Sequence, residues 1–586
     1  MTLSGPLGRI APDKRLLLLI LVAALGLRVV PMRAGLPFAS SLDEVDYVET
    51  ALRFGAGAFA LSSYFHGALY QIVLFAEYAV YFAAGWVFGL FSSPTDYYVS
   101  YLADPIPHFL LARGTAVAAA LGVVWLSHAI ASRVYNPRVG LAAAIFAAFS
   151  LLPFQMSFLA LADMPATFLL MAATYLAVRS VEEPGEHGYF CASAVFVGLA
   201  AATKYHAGLG IVIVLVAGGL KAASQARPVT LSVRLAILGS VLAGVGFCAG
   251  IPQVLADPLH LYDDVFRRLG GQYAGYDPAG NAWLFLVTNH LRNGLGIPLA
   301  VASVVGAGFA IYKRSHPDLL LLAFPVGLYL LLMQSVGFAY HFLPAVPFLL
   351  ILAARWLDAV ASAVVPRRRL TATLAAAALV VGPTLLDCVR LVSVMGSPST
   401  KTLAKAWIET HVPAGATIMS EGYVFTAPAF GPPIAESRST LERDVAFVKQ
   451  NSGTARTAVL RLAYYDRLQG GGPTYDILKV REMDADAISR EAPAYLVTTS
   501  DRDRLAGDEL AVMFTPVGYG KARAGVKARI AQDYIVVGAI VPAQVFTPMF
   551  PHLMDEDYRA IRRWPVFAGG GSRGPAITIW ARRNEG

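Results

Sequence analysis

Residues 14–47 read Lys14-Arg-Leu-Leu-Leu-Leu-Ile-Leu-Val-Ala-Ala-Leu-Gly-Leu-Arg-Val-Val-Pro-Met-Arg-Ala-Gly-Leu-Pro-Phe-Ala-Ser-Ser-Leu-Asp-Glu-Val-Asp-Tyr47. Two basic residues lead into an apolar run from Leu16 to Val30, and acids gather just beyond it at Asp43, Glu44 and Asp46. The run is close to the length that a helix needs to cross a bilayer. It is not followed by a small-residue cleavage site, so it reads as a retained signal anchor. Arg9, Lys14 and Arg15 hold the N-terminus on the cytoplasmic side. Asp43 and Glu44 then emerge on the outer side.

The rest of the chain repeats this pattern. Of its 586 residues 56% are hydrophobic and 15% charged, and the mean hydropathy is +0.56. A soluble domain carries about 25% charged residues, so the balance points to lipid. Basic residues in short loops (Arg133 and Arg138, Arg179, Lys221–Arg234, Lys313–Arg314, Arg367–Arg369) mark the inner side. They predict eleven spans near 15–32, 108–132, 139–157, 164–180, 189–203, 206–222, 233–251, 291–312, 317–336, 343–362 and 369–393. Tyr64 to Phe91 is apolar, but Glu77 interrupts it and aromatics crowd it. It reads as an interfacial or re-entrant element, with up to thirteen spans as the alternative count.

The expected fold is therefore an all-α polytopic membrane bundle over residues 1–395, with outer loops 33–107 and 252–290 and an extracytoplasmic α/β domain over 396–586. That tail predicts a helix from Lys401 to His411 and β-rich runs at Ala416–Ser420, Ala494–Thr499, Tyr534–Ala543 and Ala576–Trp580. Cys191, Cys248 and Cys388 fall in apolar spans, which leaves the tail without a disulfide framework. The net charge of +8 is spread over loops rather than interleaved with aromatics, so nucleic acid is not an expected partner.

Adjacent carboxylates at a membrane exit, as at Asp43-Glu44, are costly unless used, bound to a cation or fully solvated. Asp163 is a second outer acid, in Ala160-Leu-Ala-Asp-Met-Pro165, where helix N-capping is the ordinary alternative. Arg113 lies near the outer end of a span, Lys204 between two spans and His341 before Pro344. Alone, each reads as a snorkelling cation or a satisfied histidine. Together they suit transfer from a phosphate-bearing lipid: a cation neutralises the leaving phosphate while a carboxylate takes the acceptor's proton. Asp43, Glu44, Asp163 and His66, or His341, are also candidate ligands for a divalent metal. The outer loop adds Asp263, Asp264, Arg267, Arg268, Tyr273, Tyr276 and His290, with Tyr276, His290 and His66 as candidate substrate contacts.

These residues, in this order, resemble the GT-C superfamily of polyprenyl-phosphate-sugar glycosyltransferases, in particular the protein O-mannosyltransferase-like family 39 and the bacterial aminoarabinose transferases. The likeness runs through Asp43-Glu-Val-Asp-Tyr47, His66-Gly-Ala-Leu-Tyr70, Leu111-Ala-Arg113, Asp163-Met-Pro165, Gly198–Lys204, Tyr340–Pro347, Asp257-Pro258 and Leu403–Pro413. It implies an inverting transfer at the outer membrane face, with Asp43 as the catalytic acid and Glu44 shaping the acceptor site. It also implies Asp163 as the second outer-loop acid, Arg113 near the lipid phosphate, and Lys204 with Tyr340 and His341 on the carrier side. Two departures stand out: His66-Gly-Ala-Leu69 replaces a family His-Pro-Pro-Leu, and Tyr340-His341 replaces Arg-Tyr. The implied partners are a polyprenyl-phosphate-linked sugar, a protein, glycan or lipid-linked acceptor, and membrane lipid. The implied setting is the bacterial plasma membrane. A transporter or lipid-carrier flippase is the competing reading, and an inactive scaffold is a third. A carboxylate base predicts loss of transfer in acid, near the ordinary carboxylate range of about pH 4.

Overall fold

The computed structural model describes residues 12–37, 42–59, 61, 64, 66–183, 185–223, 228–265, 282–332, 339–423, 431–451, 456–468, 471–500, 519–542, 544–545, 561–563 and 572–583. The chain divides into two units. The first holds Met1–Arg33, Asp43–Tyr81 and His108–Val392; the second holds Ala34–Leu42, Phe82–Pro107 and Ser393–Gly586.

All the regular structure described in the first unit is helical. Its helices are α1 (Pro12–Val29), α2 (Leu42–Gly55), α3 (Leu69–Val87), which continues into the second unit, α5 (Ile106–Val134), α6 (Pro137–Phe149), α7 (Leu151–Gln155), α8 (Asp163–Glu182), α9 (His187–Thr203), α10 (Ile211–Ala223), α11 (Pro228–Gly250) and α12 (Pro258–Tyr262). Further helices at Ile297–Lys313, His316–Leu332, Val346–Val364 and Arg369–Gly396 follow; α4 (Pro94–Ala103) belongs to the second unit. Among the described residues seven helices are long and apolar enough to cross a membrane: Asp13–Arg33, Ile106–Val134, Asp163–Glu182, Tyr205–Ala223, Pro228–Gly250, Tyr340–Val364 and Arg369–Gly396. Four shorter apolar helices, Pro137–Phe149, His187–Thr203, Ile297–Lys313 and His316–Leu332, occupy the other predicted span positions. Val229, Val233, Ile237, Val241 and Val245 stand exposed along α11, as do Leu18, Leu19 and Val22 along α1. Such apolar faces need lipid, so the protein is an integral membrane protein.

Small residues let these helices close up. A Cβ on Gly198 of α9 would lie 2.0 Å from the Ala243 carbonyl of α11, and one on Gly246 would lie 2.2 Å from the Val195 carbonyl. This is the close approach that small residues permit between helices in lipid. Within Tyr64 to Phe91, α3 is one unbroken helix from Leu69 to Val87 and is not among the seven span-length apolar helices. Glu77 is tolerated within it because the Thr115 hydroxyl of α5 donates to its carboxylate.

In the second unit, strands β1 (Thr417–Glu421), β2 (Asp476–Val480), β3 (Tyr495–Thr499), β4 (Tyr534–Ile540), β5 (Gln544–Val545), β6 (Arg573–Gly574) and β7 (Ile577–Arg582) form two sheets. The larger has the order β2-β1-β3-β7-β4, with β1 parallel to β2 and β3, and β7 antiparallel to β3 and β4. β2 lies outside the β-rich runs expected from sequence. One face packs Ile418, Val497, Ile577 and Ile579 against Ala404 and Ile408 of the helix Thr400–His411. The other packs Met419 and Leu496 against Val526 and Ile530 of the helix Tyr519–Asp533.

At the end of β1 the Glu421 carboxylate is wholly buried. It accepts from Arg523 at 2.5 and 3.1 Å and from the Thr499 amide at 3.2 Å. Removing one partner of such a pair strands the other charge, so Arg523→Met should destabilise this unit by about 3–5 kcal/mol. Adding Glu421→Leu should recover much of the loss. Denaturant melts of the two variants check this, and equal loss in both would refute it.

Candidate active site

Asp43 and Glu44 occupy the first turn of α2, where acids favour the helix dipole. Neighbours on a helix point about 100° apart, so the two acids separate. Glu44 turns inward and is fully buried. Arg113 Nε and Nη2 donate to its two oxygens at 2.8 and 2.9 Å, and the Ala160 amide donates to Oε1 at 2.7 Å. Arg113 Nη1 donates to the Met32 carbonyl at 2.6 Å. Glu44 and Arg113 are thus paired with each other inside the protein. Their pair ties the ends of α1 and α2 to α5 and to the turn three residues before Asp163.

Asp43 turns outward, with 33% of its side-chain surface open, and accepts no hydrogen bond among the described residues. His66 Nε2 approaches its Oδ1 at 3.9 Å. Tyr47, one turn along α2, lies tilted against His66 at 4.9 Å and meets Tyr70 edge-on at 5.1 Å. The chain reaches this position through Gly67, where a Cβ would lie 2.2 Å from the Ala202 carbonyl at the end of α9. The departure from the His-Pro-Pro-Leu pattern thus has a steric reason, since any residue with a Cβ collides there.

Beyond the end of α9, Lys204 Nζ donates to Asp163 Oδ1 at 2.5 Å and sits 4.4 Å from the Tyr340 ring. His341 meets Tyr340 edge-on at 4.4 Å, and His206 lies 5.7 Å from His341. Asp163 is the first residue of α8, whose N-cap position is Ala162, so its side chain serves the lysine rather than capping the helix. His290 lies against Phe285 at 5.2 Å, in a turn that packs on the Ala339–Ala345 segment. Tyr276, with Arg267, Arg268 and Tyr273, falls outside the described residues. Sequence reasoning passed over Tyr47, Tyr70 and His206. Tyr47 carried a signal, because its i+4 spacing from Asp43 puts both on one helix face.

Burial pushes the Asp43 carboxyl up to about 6; Lys204 opposes this, while Asp163 and Glu44 add to it. Burial lowers His66 to about 4, against the pull of Asp46, so its ring is neutral near pH 7. Burial holds the Tyr47 phenol well above its ordinary range. The donor set does not suit a metal: among the described residues no three His, Cys, Asp or Glu side chains converge on one point. Asp43 and His66 approach each other, but Asp163 is taken up by Lys204.

Residues 108–250, which include Arg113, Asp163 and Lys204, match the sequence model of the family Dolichyl-phosphate-mannose-protein mannosyltransferase. The chain resembles the polyprenyl-phosphate-dependent glycosyltransferases of the GT-C superfamily. Among solved structures it is similar to ArnT from Cupriavidus metallidurans bound to undecaprenyl phosphate, with 15% identity, 85% of this chain and 94% of that chain covered, and a TM-score of 0.48. It is also similar to the apo oligosaccharyltransferase of Archaeoglobus fulgidus, with 10% identity, 98% and 89% covered, and a TM-score of 0.49. A search of curated proteins returns no match.

Proposed function

We propose that this protein is a membrane glycosyltransferase that moves a sugar from a polyprenyl-phosphate carrier to an acceptor hydroxyl at the outer face, with inversion. The observation that carries this reading is Asp43: an open, unbonded carboxylate raised to about 6, within electrostatic reach of the Lys204–Asp163 pair. Asp43 takes the proton of the acceptor hydroxyl as its oxygen bonds to the anomeric carbon. The sugar–phosphate C–O bond breaks, and its electron pair leaves with the carrier phosphate. Lys204 has three N–H donors, so one can stay on Asp163 while another meets that phosphate. Tyr340 and His341 border the lysine and form the rest of the carrier side. In this reading Tyr47, His66 and His290 border the sugar or acceptor. No step is routed through a metal.

Reconstituted protein given a polyprenyl-phosphate-linked sugar should transfer it to acceptors from its own membranes. Lipid movement across the bilayer without transfer would replace this reading with the flippase. Mass spectrometry of glycans and glycoproteins from a strain lacking the protein identifies the sugar and the acceptor.

The raised Asp43 carboxyl sets the pH dependence. A base works only when ionised, so transfer should fall about tenfold per pH unit below about pH 6. That is well above the ordinary carboxylate range near pH 4. A single-turnover profile that stays flat from pH 8 down to 5 would exclude Asp43 as the base.

A further inference from the structure

The proposed reaction leaves open what keeps His66 beside Asp43. His66 lies between α2 and α3, outside either helix, so backbone bonding within an element does not fix it. Side chains from two other segments do. The Tyr205 hydroxyl donates to the Tyr64 carbonyl at 2.7 Å and stands 3.4 Å from the His66 carbonyl. Asp264, two residues beyond α12, accepts from the Tyr64 amide through Oδ2 at 2.8 Å. His260 of α12 places Nε2 at 3.2 Å from the same oxygen, and its ring meets the Tyr64 ring edge-on at 5.1 Å. On the other side of His66, Gly67 lies against the Ala202 carbonyl, where a Cβ would stand at 2.2 Å.

These contacts are closed from water. Tyr64 and Asp264 are each 2% exposed, and Tyr205 packs on the cluster that holds Tyr64, Ala202, Ile251 and Val254. In such surroundings a backbone group that loses its partner finds no water to replace it. The course of the chain explains why Tyr205 is available. α9 stops at Thr203, and Lys204 is extended, with φ −152° and ψ 118°. Neighbouring side chains leave an extended stretch on opposite sides. Lys204 turns to Asp163 while Tyr205 turns to Tyr64. One break in the chain thus serves both flanks of the proposed site.

We propose that Tyr205 is a positioning residue: its hydroxyl fixes the backbone at Tyr64 and His66 and so holds the His66 ring beside Asp43, with Asp264 supporting it through the Tyr64 amide. Because Tyr205 directly follows Lys204, the same tether sets the spacing between the carrier side and the Asp43 side. Its part in transfer rests on the proposed reaction; the tether itself does not.

Full-length protein in detergent, labelled with diethyl pyrocarbonate and read by peptide mass spectrometry, tests the tether without any transfer. In Tyr205→Phe, His66 should react about fivefold faster than in the parent, the freedom that one lost hydrogen bond allows. The exposed His316 should keep its rate. Asp264→Ala should act in the same direction, and Asp264→Asn, which retains an acceptor oxygen, should restore most of the protection. Single-turnover transfer should fall about tenfold in Tyr205→Phe, as misplacement of a group in a reacting site does. In a His66→Ala background the same substitution should cost nothing further, because a residue that acts through His66 has nothing left to position. Unchanged labelling of His66 in Tyr205→Phe, equal acceleration at His316, or the full tenfold loss in the His66→Ala background would overturn the proposal. A parent protein whose His66 labels as expected but which transfers no sugar would sink the transferase reading and leave the tether in place.

Discussion

Asp43→Asn should reduce sugar transfer by about 10²- to 10⁴-fold, the usual contribution of a positioned general base. Asparagine matches aspartate in size and can still hydrogen-bond to an acceptor, so the variant isolates proton removal from binding. Folding should be spared. Asp43 holds no hydrogen bond among the described residues, and burial already disfavours its charge. The measurement is single-turnover transfer from a defined polyprenyl-phosphate-linked sugar, with thermal unfolding of the same preparation alongside. A large fall in rate with an unchanged melting temperature is the expected pair of results. Transfer at the parental rate would remove Asp43 from the chemistry.

Glu44→Gln should have the opposite signature, a loss of stability of about 3–5 kcal/mol, because it leaves the fully buried Arg113 guanidinium without a counter-charge. The amide retains one acceptor oxygen, yet it cannot match both Arg113 and the Ala160 amide as the carboxylate does. Arg113→Met should be similarly costly, since it strands the Glu44 charge. The double variant Glu44→Gln/Arg113→Met removes both charges and should be less damaged than the two single losses added together. Activity in the single variants should fall with stability, because Glu44 fixes the start of α2 against the turn that leads to Asp163. Unfolding in detergent with increasing denaturant reads the three variants. Strict additivity would show that the pair is not coupled as its geometry requires.

The contrast between two neighbouring acids shows where sequence reading stops. Asp43 and Glu44 carry the same charge in the same motif, and both were natural candidates for the reaction. Their difference arises from a helical rotation of about 100° and from what each then meets. Glu44 meets Arg113, sixty-nine positions away, and Asp43 meets an open face. The Glu44 partner of Arg113 is hidden for the same reason, because an arginine near the end of a span looks alike in sequence whatever it meets. Gly67 shows another limit. As sequence it is a departure from a motif, and only the carbonyl of Ala202 explains it.

The sequence by itself determined that this is a membrane protein with a polar α/β tail, because hydrophobic run length and charge spacing are local properties that lipid and water read directly. It also singled out the candidate site, since Asp43, Asp163, Lys204, His66, Tyr340 and His341 were each legible as residue types unusual for their surroundings. The tertiary structure decided the division of labour among them: Lys204 on Asp163, Arg113 on Glu44, and Asp43 left open. Partner choice depends on distances of a few ångströms between segments far apart in the chain, and no local pattern encodes those distances.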